Sequence, residues 1–357
     1  KEYNAELCKR GADALGQALA LTESTNRYEL ADFSEYNDIF LLHNSSGKLN
    51  GVKESIFMEN IKDYSGRWRW NMVNDFRPQS IEYSGIKCYP TANYVNYYGM
   101  QNGYPINDMT KADAESGYDP THPWKNRDPR FYKTIMFDGV KWKSTGGAGG
   151  TAELFTGGRE SEEANEKKGC FTAYMNSKLC PQLMNTVDGY KENNIMILSL
   201  MRLADVYLMY AEATAVGYNG PKGKAATYSL TAEEALNKIR ERAGVAPVLD
   251  KFLGSTADFL SELRRERAVE LSFEGFRFID LRRWMLLTQY PYTLKTKIEF
   301  DRADPSDYNY DEPEENAIKN LREVVLLERK YTDRHYWYPL PKKDVSMYEG
   351  FYQNPGW

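Results

Sequence analysis

Carboxylates and guanidinium groups alternate along one stretch of this sequence, and paired carboxylates would have the chemistry for acid–base catalysis. The charged residues are Glu266, Arg267, Glu270, Glu274, Arg277, Asp280, Arg282 and Arg283. Two carboxyl groups that flank a glycosidic bond can hydrolyse it, one of them as a general acid. Here every carboxylate has an arginine within one helical turn, and a neighbouring positive charge favours the ionised form over the acid. We therefore expect a structural role for these charges and no enzymatic activity.

The same stretch predicts a helix whose charges point inward. At 100° per residue, Arg267, Glu270 and Glu274 lie on the helix face that carries Leu260 and Leu263. The leucines require that face to be buried, and a buried guanidinium group is tolerated only when carboxylates accept its hydrogen bonds. We therefore predict an internal ion network. Its expected members are Arg267, Glu270, Glu274, Arg277, Asp280 and Arg283.

The best candidates for ligand contact lie in an aromatic loop, in the segment Arg67-Trp68-Arg69-Trp70-Asn71. An extended backbone would direct Trp68 and Trp70 to the same side, about 6.5–7 Å apart. Two such indoles could stack on successive sugar rings, while Arg67, Arg69 and Asn71 contact the hydroxyl groups. The alternative is a strand that packs both indoles into the helical body.

Further aromatic residues are weaker ligand candidates. Tyr83 belongs to the same loop, and Trp142 stands beside the glycine-rich run 146–150, which we expect to be mobile. Tyr94, Tyr97 and Tyr98 have helical spacing, which is more typical of packing than of binding. The predicted ligand-binding residues are therefore Arg67, Trp68, Arg69, Trp70, Asn71, Tyr83 and Trp142.

No sequence pattern predicts a bound cofactor. Cys8, Cys88, Cys170 and Cys180 form no C-x-x-C pair, and the three histidines are scattered, which excludes the usual zinc and haem signatures. The acidic segment 301–316 could hold calcium, but it lacks EF-hand spacing and is more typical of a solvated loop. Cys170 and Cys180 could form a disulfide in an oxidising compartment, and free buried thiols fit the sequence equally well.

Composition excludes other functional classes. The chain has 357 residues, a net charge of −5 and a pI near 5.6, so it offers no basic field for nucleic acid binding. No apolar run reaches the roughly 20 residues that a membrane-spanning helix needs. Neither a P-loop nor a Gly-x-Ser-x-Gly elbow is present. The 27 tyrosines are in excess, and tyrosine suits wet interfaces and contact with sugar rings.

Helical periodicity predicts a scaffold of paired helices. Residues 2–21 have helical spacing, and residues 196–216 form the most strongly periodic helix. Thr231 and Glu234 predict a capping box that begins a partner helix. This layout is typical of tetratricopeptide repeats, whose helix pairs must stack on neighbouring pairs to bury their apolar faces. The additional helices are expected within residues 1–22 and 258–290.

The remaining segments have shorter or weaker patterns. We predict a helical or extended piece at 30–40, strands at 55–61 and 133–140, a long loop at 66–90 and a short helix from Thr91 to about Tyr98.

The charged stretch resembles the C-terminal signature of the SusD/RagB family of outer-membrane nutrient-binding lipoproteins. The family pattern E-R-x-x-E-L-x-F-E-G-x-R-x-x-D-L-x-R-W falls on residues 266–284. Further matches occur in the family order at Trp124–Tyr132, Tyr338–Pro341 and Gln353–Trp357. The resemblance implies a mostly α, tetratricopeptide-like scaffold with long irregular loops and a few short strands.

It also implies a role in polysaccharide utilisation. Such a protein is anchored to the outer membrane by a lipid, captures glycan at the cell surface and delivers it to a SusC-like TonB-dependent transporter. Members of the family are longer, so we expect this chain to be the C-terminal portion of one SusD-like domain, with the lipid anchor before it. Residues 1–60 and 190–290 would form the helical scaffold, and residues 61–189 and 291–340 the loop-rich ligand side.

Two alternatives to glycan capture are considered: capture of peptides and hydrolysis of glycosidic bonds. A peptide-capturing, RagB-like member of the same family would use backbone pairing and charge complementarity in place of stacked indoles. A glycoside hydrolase would use the carboxylates of the charged stretch, and it is the less favoured alternative.

Overall fold

Helices dominate the computed structural model of this chain. The structure describes residues 3–42, 51–58, 89–144, 147–164, 169–179, 188 and 195–357. Within these ranges the α-helices are α1 (Ala5–Thr25), α2 (Ala92–Val95), α3 (Pro129–Thr134), α4 (Leu203–Gly217), α5 (Ala232–Ala243), α6 (Thr256–Glu270), α7 (Phe276–Arg283) and α8 (Lys342–Val345). Short 3₁₀ helices span Phe33–Phe40, Gly147–Gly150, Asp250–Phe252, Pro305–Asp307, Pro313–Glu315 and Asp333–Tyr336.

The described strands form small antiparallel pairs. They are β1 (Leu41–Leu42), β2 (Ser55–Met58), β3 (Ile135–Met136), β4 (Met175–Asn176), β5 (Ile195–Met196), β6 (Ser199–Arg202), β7 (Leu294–Arg302) and β8 (Ile318–Glu328). β1 pairs with β5, β2 with β6, β3 with β4, and β7 with β8. The last ladder is the longest and places Leu294 opposite Glu328 and Arg302 opposite Ile318.

A helical core forms around α4, which is buried on nearly all sides. α1 lies against it in the antiparallel direction, with Gly16 beside Tyr210 and Gly11 beside Ala213. A Cβ atom at Gly217 would lie 2.6 Å from the backbone nitrogen of Lys9, so only glycine permits this close approach of the two helices. α5 and α6 complete the core. The predicted tetratricopeptide-like scaffold of paired helices is confirmed.

The capping box at the start of α5 is also confirmed. The Thr231 hydroxyl accepts a hydrogen bond from the Glu234 backbone N–H, and the Glu234 carboxylate accepts one from the Thr231 N–H. Gly244 ends the helix in the left-handed conformation, with φ of 72°. These contacts satisfy backbone groups that have no partner within the helix.

Replacing Thr231 by alanine is expected to lower the free energy of unfolding by about 1 kcal/mol, because the first turn of α5 loses its side-chain acceptor. Chemical denaturation would measure the change. Thr231→Ser is the matched control, since its hydroxyl preserves the cap, and equal stabilities for the alanine and serine variants would contradict the prediction.

The helix predicted at 196–216 begins later than expected. Residues Ser199–Arg202 instead form β6, whose backbone pairs with β2 from Ser55 to Met58. The apolar periodicity continues through this strand, so helix and strand could not be distinguished from sequence alone. Arg202 has extended dihedral angles immediately before α4. Strand pairing with a distant segment therefore determines where the helix begins.

The charged stretch is also not one continuous helix. α6 ends at Glu270, and α7 begins at Phe276. Between them Phe273 has φ of 62° and Gly275 has φ of 89°, both in the left-handed region. Glycine adopts this region without steric cost, whereas phenylalanine does so rarely. The chain therefore changes direction inside the signature.

Other predicted elements are shorter in the structure. The strand expected at 133–140 is reduced to β3, because α3 occupies the residues up to Thr134. The helix expected after Thr91 is the single turn α2. The strand expected at 55–61 appears as β2 within the described residues. The loop predicted at 66–90 lies outside the described residues except for its last two positions.

The loop-rich part of the chain has an aromatic core of its own. Trp124 is fully buried and stacks on Phe137, with ring centroids 5.0 Å apart. Phe131 also stacks on Phe137, with ring centroids 5.2 Å apart, and Phe300 of β7 contacts Trp124 edge-on. The described loops are thus held by buried rings, which provides a rigid support for a binding surface.

Candidate functional site

Glu270 lies at the centre of a buried ion network between the helical core and the aromatic core. Its carboxylate accepts hydrogen bonds from Arg130 at 3.0 Å, from Arg202 at 2.7 Å and from Arg242. The Glu270 side chain and that of Arg202 are fully buried. Glu274, in the turn after α6, accepts further hydrogen bonds from Arg202.

The network has equal numbers of positive and negative groups. Among the described residues, six carboxylates and six cationic groups are joined through shared partners, and the most exposed of them, Arg265, has 11% of its side chain accessible. The members are Glu54, Asp128, Glu262, Glu266, Glu270, Glu274, Arg130, Lys178, Arg202, Arg240, Arg242 and Arg265. Such balance is what permits many charges to be removed from water together.

Arginines keep the central carboxylates ionised. Burial would raise the pKa of Glu266, but Arg130 and Arg240 outweigh it and lower that pKa to about 2. The pKa of Glu270 also lies well below its usual range, because three arginines outweigh its burial. A general acid must hold a proton near neutral pH, so neither carboxylate is suited to that role.

Arg267 occupies a second buried cluster. It donates hydrogen bonds to Asp205 at 2.7 Å and to Asp280 at 3.0 Å. Arg283 then links Asp280 to Glu212, with distances of 2.7 Å and 2.6 Å. Since Asp205 and Glu212 belong to α4, this cluster joins α4, α6 and α7.

Arg277 is a predicted network residue that the structure places elsewhere. Its guanidinium group lies over the rings of Tyr97 and Tyr292, 4.7 Å and 5.5 Å from their centroids. It forms no ion pair within the described ranges and belongs to neither cluster. The turn at Gly275 separates α7 from α6, so the continuous-helix geometry behind the prediction does not extend to Arg277.

The three shorter sequence matches also have structural roles. Arg127 is buried and donates to the carbonyl oxygens of Val95, Tyr98 and Pro123, at 3.1, 2.8 and 2.9 Å. The two C-terminal matches pair with each other, because the Gln353 side chain both accepts from and donates to the Leu340 backbone.

Of the predicted ligand-binding residues, only Trp142 is among the residues that the structure describes. Arg67, Trp68, Arg69, Trp70, Asn71 and Tyr83 lie outside the described residues. Trp142 is described and has 1% of its surface exposed, within the aromatic core. In this conformation its indole presents no face for a ligand to stack on.

A calcium site in the acidic segment and a disulfide between Cys170 and Cys180 were further possibilities in the sequence. In the acidic segment, the Asp304 carboxylate accepts hydrogen bonds from Ser306, as turn-forming residues do. Where the chain is described, no group of three or more histidine, cysteine, aspartate or glutamate side chains is arranged to hold a metal ion. Cys170 is a buried thiol that donates to the Tyr174 carbonyl oxygen, and Cys180 lies outside the described residues.

Surface cavities lined by the described residues are places where a ligand could bind. A groove of about 530 Å³ lies between α7 and the 3₁₀ helix at Asp333–Tyr336, beside the exposed Trp337. A second cavity, of about 400 Å³, is lined by amide and hydroxyl side chains, including Gln101, Asn102, Ser116 and Asn126.

A third cavity lies between α6 and α7 and has a volume of about 350 Å³. We call it the α6–α7 cavity, and its walls include Tyr97, Lys251, Phe252, Arg264, Arg277 and Tyr292. The helical spacing of Tyr97 predicted packing, and no sequence pattern pointed to Lys251, Phe252 or Tyr292. No local pattern could have found this set, because its members come from five separate segments.

The described part of the chain contains no helix with the length and apolar character to cross a bilayer.

Comparison with known proteins gives a family and a fold. The model of the SusD family matches residues 53–357. No functionally curated protein sequence matches the chain.

Solved structures give the same fold at low sequence identity. A SusD-like protein from Bacteroides fragilis NCTC 9343 has a TM-score of 0.69 at 23% identity, over 98% of this chain and 62% of that one. A SusD-like carbohydrate binding protein from the same strain has a TM-score of 0.62 at 20% identity, over 95% and 60%. A SusD superfamily protein from Parabacteroides distasonis ATCC 8503 has a TM-score of 0.52 at 17% identity, over 98% and 58%. The chain thus spans about three fifths of the length of these structures.

Proposed function

The chain belongs to the SusD family, and from this membership we propose that it captures glycans at the cell surface. The observation that carries the proposal is the family match over residues 53–357. Proteins of this family are associated with the outer membrane. In the proposed role, a lipid anchor holds the protein at that membrane, and captured oligosaccharide or polysaccharide passes to a SusC-like TonB-dependent transporter.

The architecture suits a binding protein more than an enzyme. The most concentrated set of charges is buried and mutually neutralised, and the Glu266 carboxyl, with its pKa near 2, cannot act as a general acid at neutral pH. The loop-rich part rests on its own aromatic core. One solved structure of similar fold is described as a carbohydrate binding protein, which supports sugar as the ligand class.

We place the aromatic platform of this function at Trp68 and Trp70. Stacking of sugar rings on indoles is favourable by a modest amount at each site, so captured glycan would remain releasable to the transporter. Arg67, Arg69, Asn71 and Tyr83 would contribute the polar contacts around the same platform.

Replacing Trp68 or Trp70 by alanine is expected to weaken glycan binding by about fivefold to tenfold each, corresponding to roughly 1–1.5 kcal/mol for one aromatic contact. Isothermal titration with a panel of plant, host and microbial glycans would measure it. Tyr352→Ala is the control, because that ring is 83% exposed at the C-terminal end and should leave affinity unchanged.

Peptide capture is the second candidate, and one observation favours it. The outer residues Val325 and Leu327 of β8 are 58% and 51% exposed, so an extended peptide could add to this strand as a further strand. Titration with a peptide mixture separates the two functions. Peptide binding that survives both tryptophan replacements, with no glycan bound, would overturn glycan capture. Cleavage of a bound oligosaccharide would instead establish a glycoside hydrolase.

A further inference from the structure

The α6–α7 cavity carries more positive than negative charge. Its walls include four cationic side chains, Lys251, Arg264, Arg265 and Arg277, and one carboxylate, Glu262. That carboxylate is already shared, because Arg265 and Arg240 of the buried network both pair with it. The cavity therefore has cationic groups whose charge the wall itself does not neutralise.

Lys251 and Arg265 have other partners. Lys251 lies 3.5 Å from the carboxylate of Glu115, which is 63% exposed at its side chain. Arg265 donates to the carbonyl oxygens of Tyr97 and Gly103 in addition to Glu262. Neither residue supplies the excess charge, which comes from Arg264 and Arg277.

Arg264 and Arg277 each have a buried nitrogen without an acceptor. These atoms are Nε of Arg264 and Nη1 of Arg277. Their neighbours are aromatic side chains. Arg264 lies over Trp284 at 5.4 Å and interacts with the Tyr3 hydroxyl, and Arg277 lies over Tyr97 at 4.7 Å and interacts with its hydroxyl. No carboxylate pairs with either guanidinium group among the residues that the structure describes. Each guanidinium group thus carries a positive charge that no described carboxylate compensates, and an anion in the cavity would offset it.

Neighbouring cations increase the local positive potential. Lys295 of β7 is partly buried, and burial together with the charges of Arg329 and Arg277 lowers its pKa to about 8. Arg329, at the end of β8, donates to the hydroxyl of Tyr331 at 2.7 Å. Arg277 therefore lies in a group of like charges, whose mutual repulsion a bound anion would reduce.

Aromatic walls accompany these charges. Tyr97, Phe252 and Tyr292 line the same cavity as Arg264 and Arg277. An aromatic ring accepts the C–H face of a sugar, and a guanidinium fork accepts two oxygens of a carboxylate or sulfate group. A sugar that bears an anionic group would use both features at once, whereas an acidic peptide would use only the charges. The combination favours a sugar.

We propose that the α6–α7 cavity binds the anionic group of an acidic glycan, a uronate carboxylate or a sugar sulfate. Arg264 and Arg277 bind the anion, and Tyr97 and Tyr292 contact the sugar ring. This assignment rests on the proposed glycan capture and narrows its substrate class. It also adds a binding site that is separate in sequence from the Trp68 and Trp70 platform.

Calorimetric titration of the whole chain with three size-matched oligosaccharides tests the proposal. The three are an oligogalacturonide, a sulfated galactan oligosaccharide and a neutral galactan oligosaccharide. At least one acidic ligand is expected to bind ten times more tightly than the neutral one, and the affinity should fall with added salt. The better acidic ligand identifies the anion as carboxylate or sulfate.

Arg277→Gln is expected to weaken the better acidic ligand about tenfold or more, since it removes a charge-assisted hydrogen bond, and to leave the neutral ligand unchanged. Arg264→Gln, at the second residue proposed to bind the anion, should also weaken it about tenfold and keeps the test available if the first variant folds poorly. Lys319→Gln is the charge-matched control. Lys319 lies opposite Asp301, which is six residues from Lys295 along β7, so Lys319 is about 20 Å from Lys295.

The possible failures are distinguishable. Equal binding of acidic and neutral oligosaccharides, or an unchanged affinity in both cavity variants, would overturn the anion site and leave glycan capture intact. Binding of a glutamate-rich peptide that Arg277→Gln weakens, without binding of any oligosaccharide, would overturn both proposals.

Discussion

Glu270→Gln is expected to lower the free energy of unfolding by about 3–5 kcal/mol, the usual cost of removing one partner from a buried ion pair. The change preserves the size of the side chain and removes its charge. Arg130, Arg202 and Arg242 share this carboxylate, and each has less than one tenth of its side chain exposed. All three would keep their positive charges in the interior with too little negative charge around them. Equilibrium unfolding in urea at pH 7 would measure the loss.

A surface glutamate provides the control for this prediction. Glu241 lies on the exposed side of α5, so Glu241→Gln should change the free energy of unfolding by no more than about 0.5 kcal/mol. At urea concentrations where Glu270→Gln remains folded, its affinity for ligand should equal that of the wild type. Wild-type stability of Glu270→Gln, whether or not it still binds ligand, would refute the structural role of the network.

Acid is expected to remove several kcal/mol of stability between about pH 5 and pH 2. The pKa of Glu266 in the folded protein is about 2, and the pKa values of Glu262, Glu270 and Glu274 are also lowered, because arginines or Lys178 outweigh burial. In the unfolded chain these carboxyl groups have pKa values near 4.5. The stabilisation is therefore present above pH 4.5 and is lost as pH falls through the folded-state pKa, at up to about 1.4 kcal/mol per pH unit for each carboxylate.

Urea unfolding at pH 7, 5, 4 and 3 would follow this loss. Asp138 acts in the opposite direction, since its burial raises its pKa above the ordinary value in spite of the Arg302 ion pair. A matched variant, Glu266→Gln, removes one of the titrating groups and should show a smaller difference in stability between pH 7 and pH 3 than the wild type. A pH-independent midpoint over this range would contradict the prediction.

The two predictions address the same physical feature, a rigid polar centre between two apolar cores. The network joins residues of α3, α5, α6 and β6, so it fixes the helical scaffold relative to the loop-rich part. In the proposed function, this rigidity positions the binding surface, while the central carboxylates Glu266 and Glu270 take no part in ligand contact.

Local sequence was sufficient for several features. Thr231 and Glu234 predicted the capping box, because a capping box is made by residues three positions apart and needs no distant partner. Leu260 and Leu263 shared a helix face with Arg267 and Glu270, and that pattern alone required charges in the interior. The signature at 266–284 then indicated the family.

The positions of turns inside periodic segments could not be predicted from the sequence. The break between Glu270 and Phe276 follows from left-handed dihedral angles at Phe273 and Gly275, and a helical pattern does not reveal them. Likewise, β6 keeps the apolar periodicity of α4 and is a strand only because β2 pairs with it.

The sequence by itself determined that charges must be buried near α6 and which family the chain joins. Tertiary structure alone decided their partners: Glu270 pairs with Arg202, 68 positions away, and with Arg130, 140 positions away. It also decided that Trp142 packs inside a core and that Arg277 meets Tyr97 and Tyr292 at a cavity. The physical reason is range, because caps and helix faces depend on neighbours within a few residues, whereas burial, ion pairing and cavity shape depend on which distant segments the folded chain brings together.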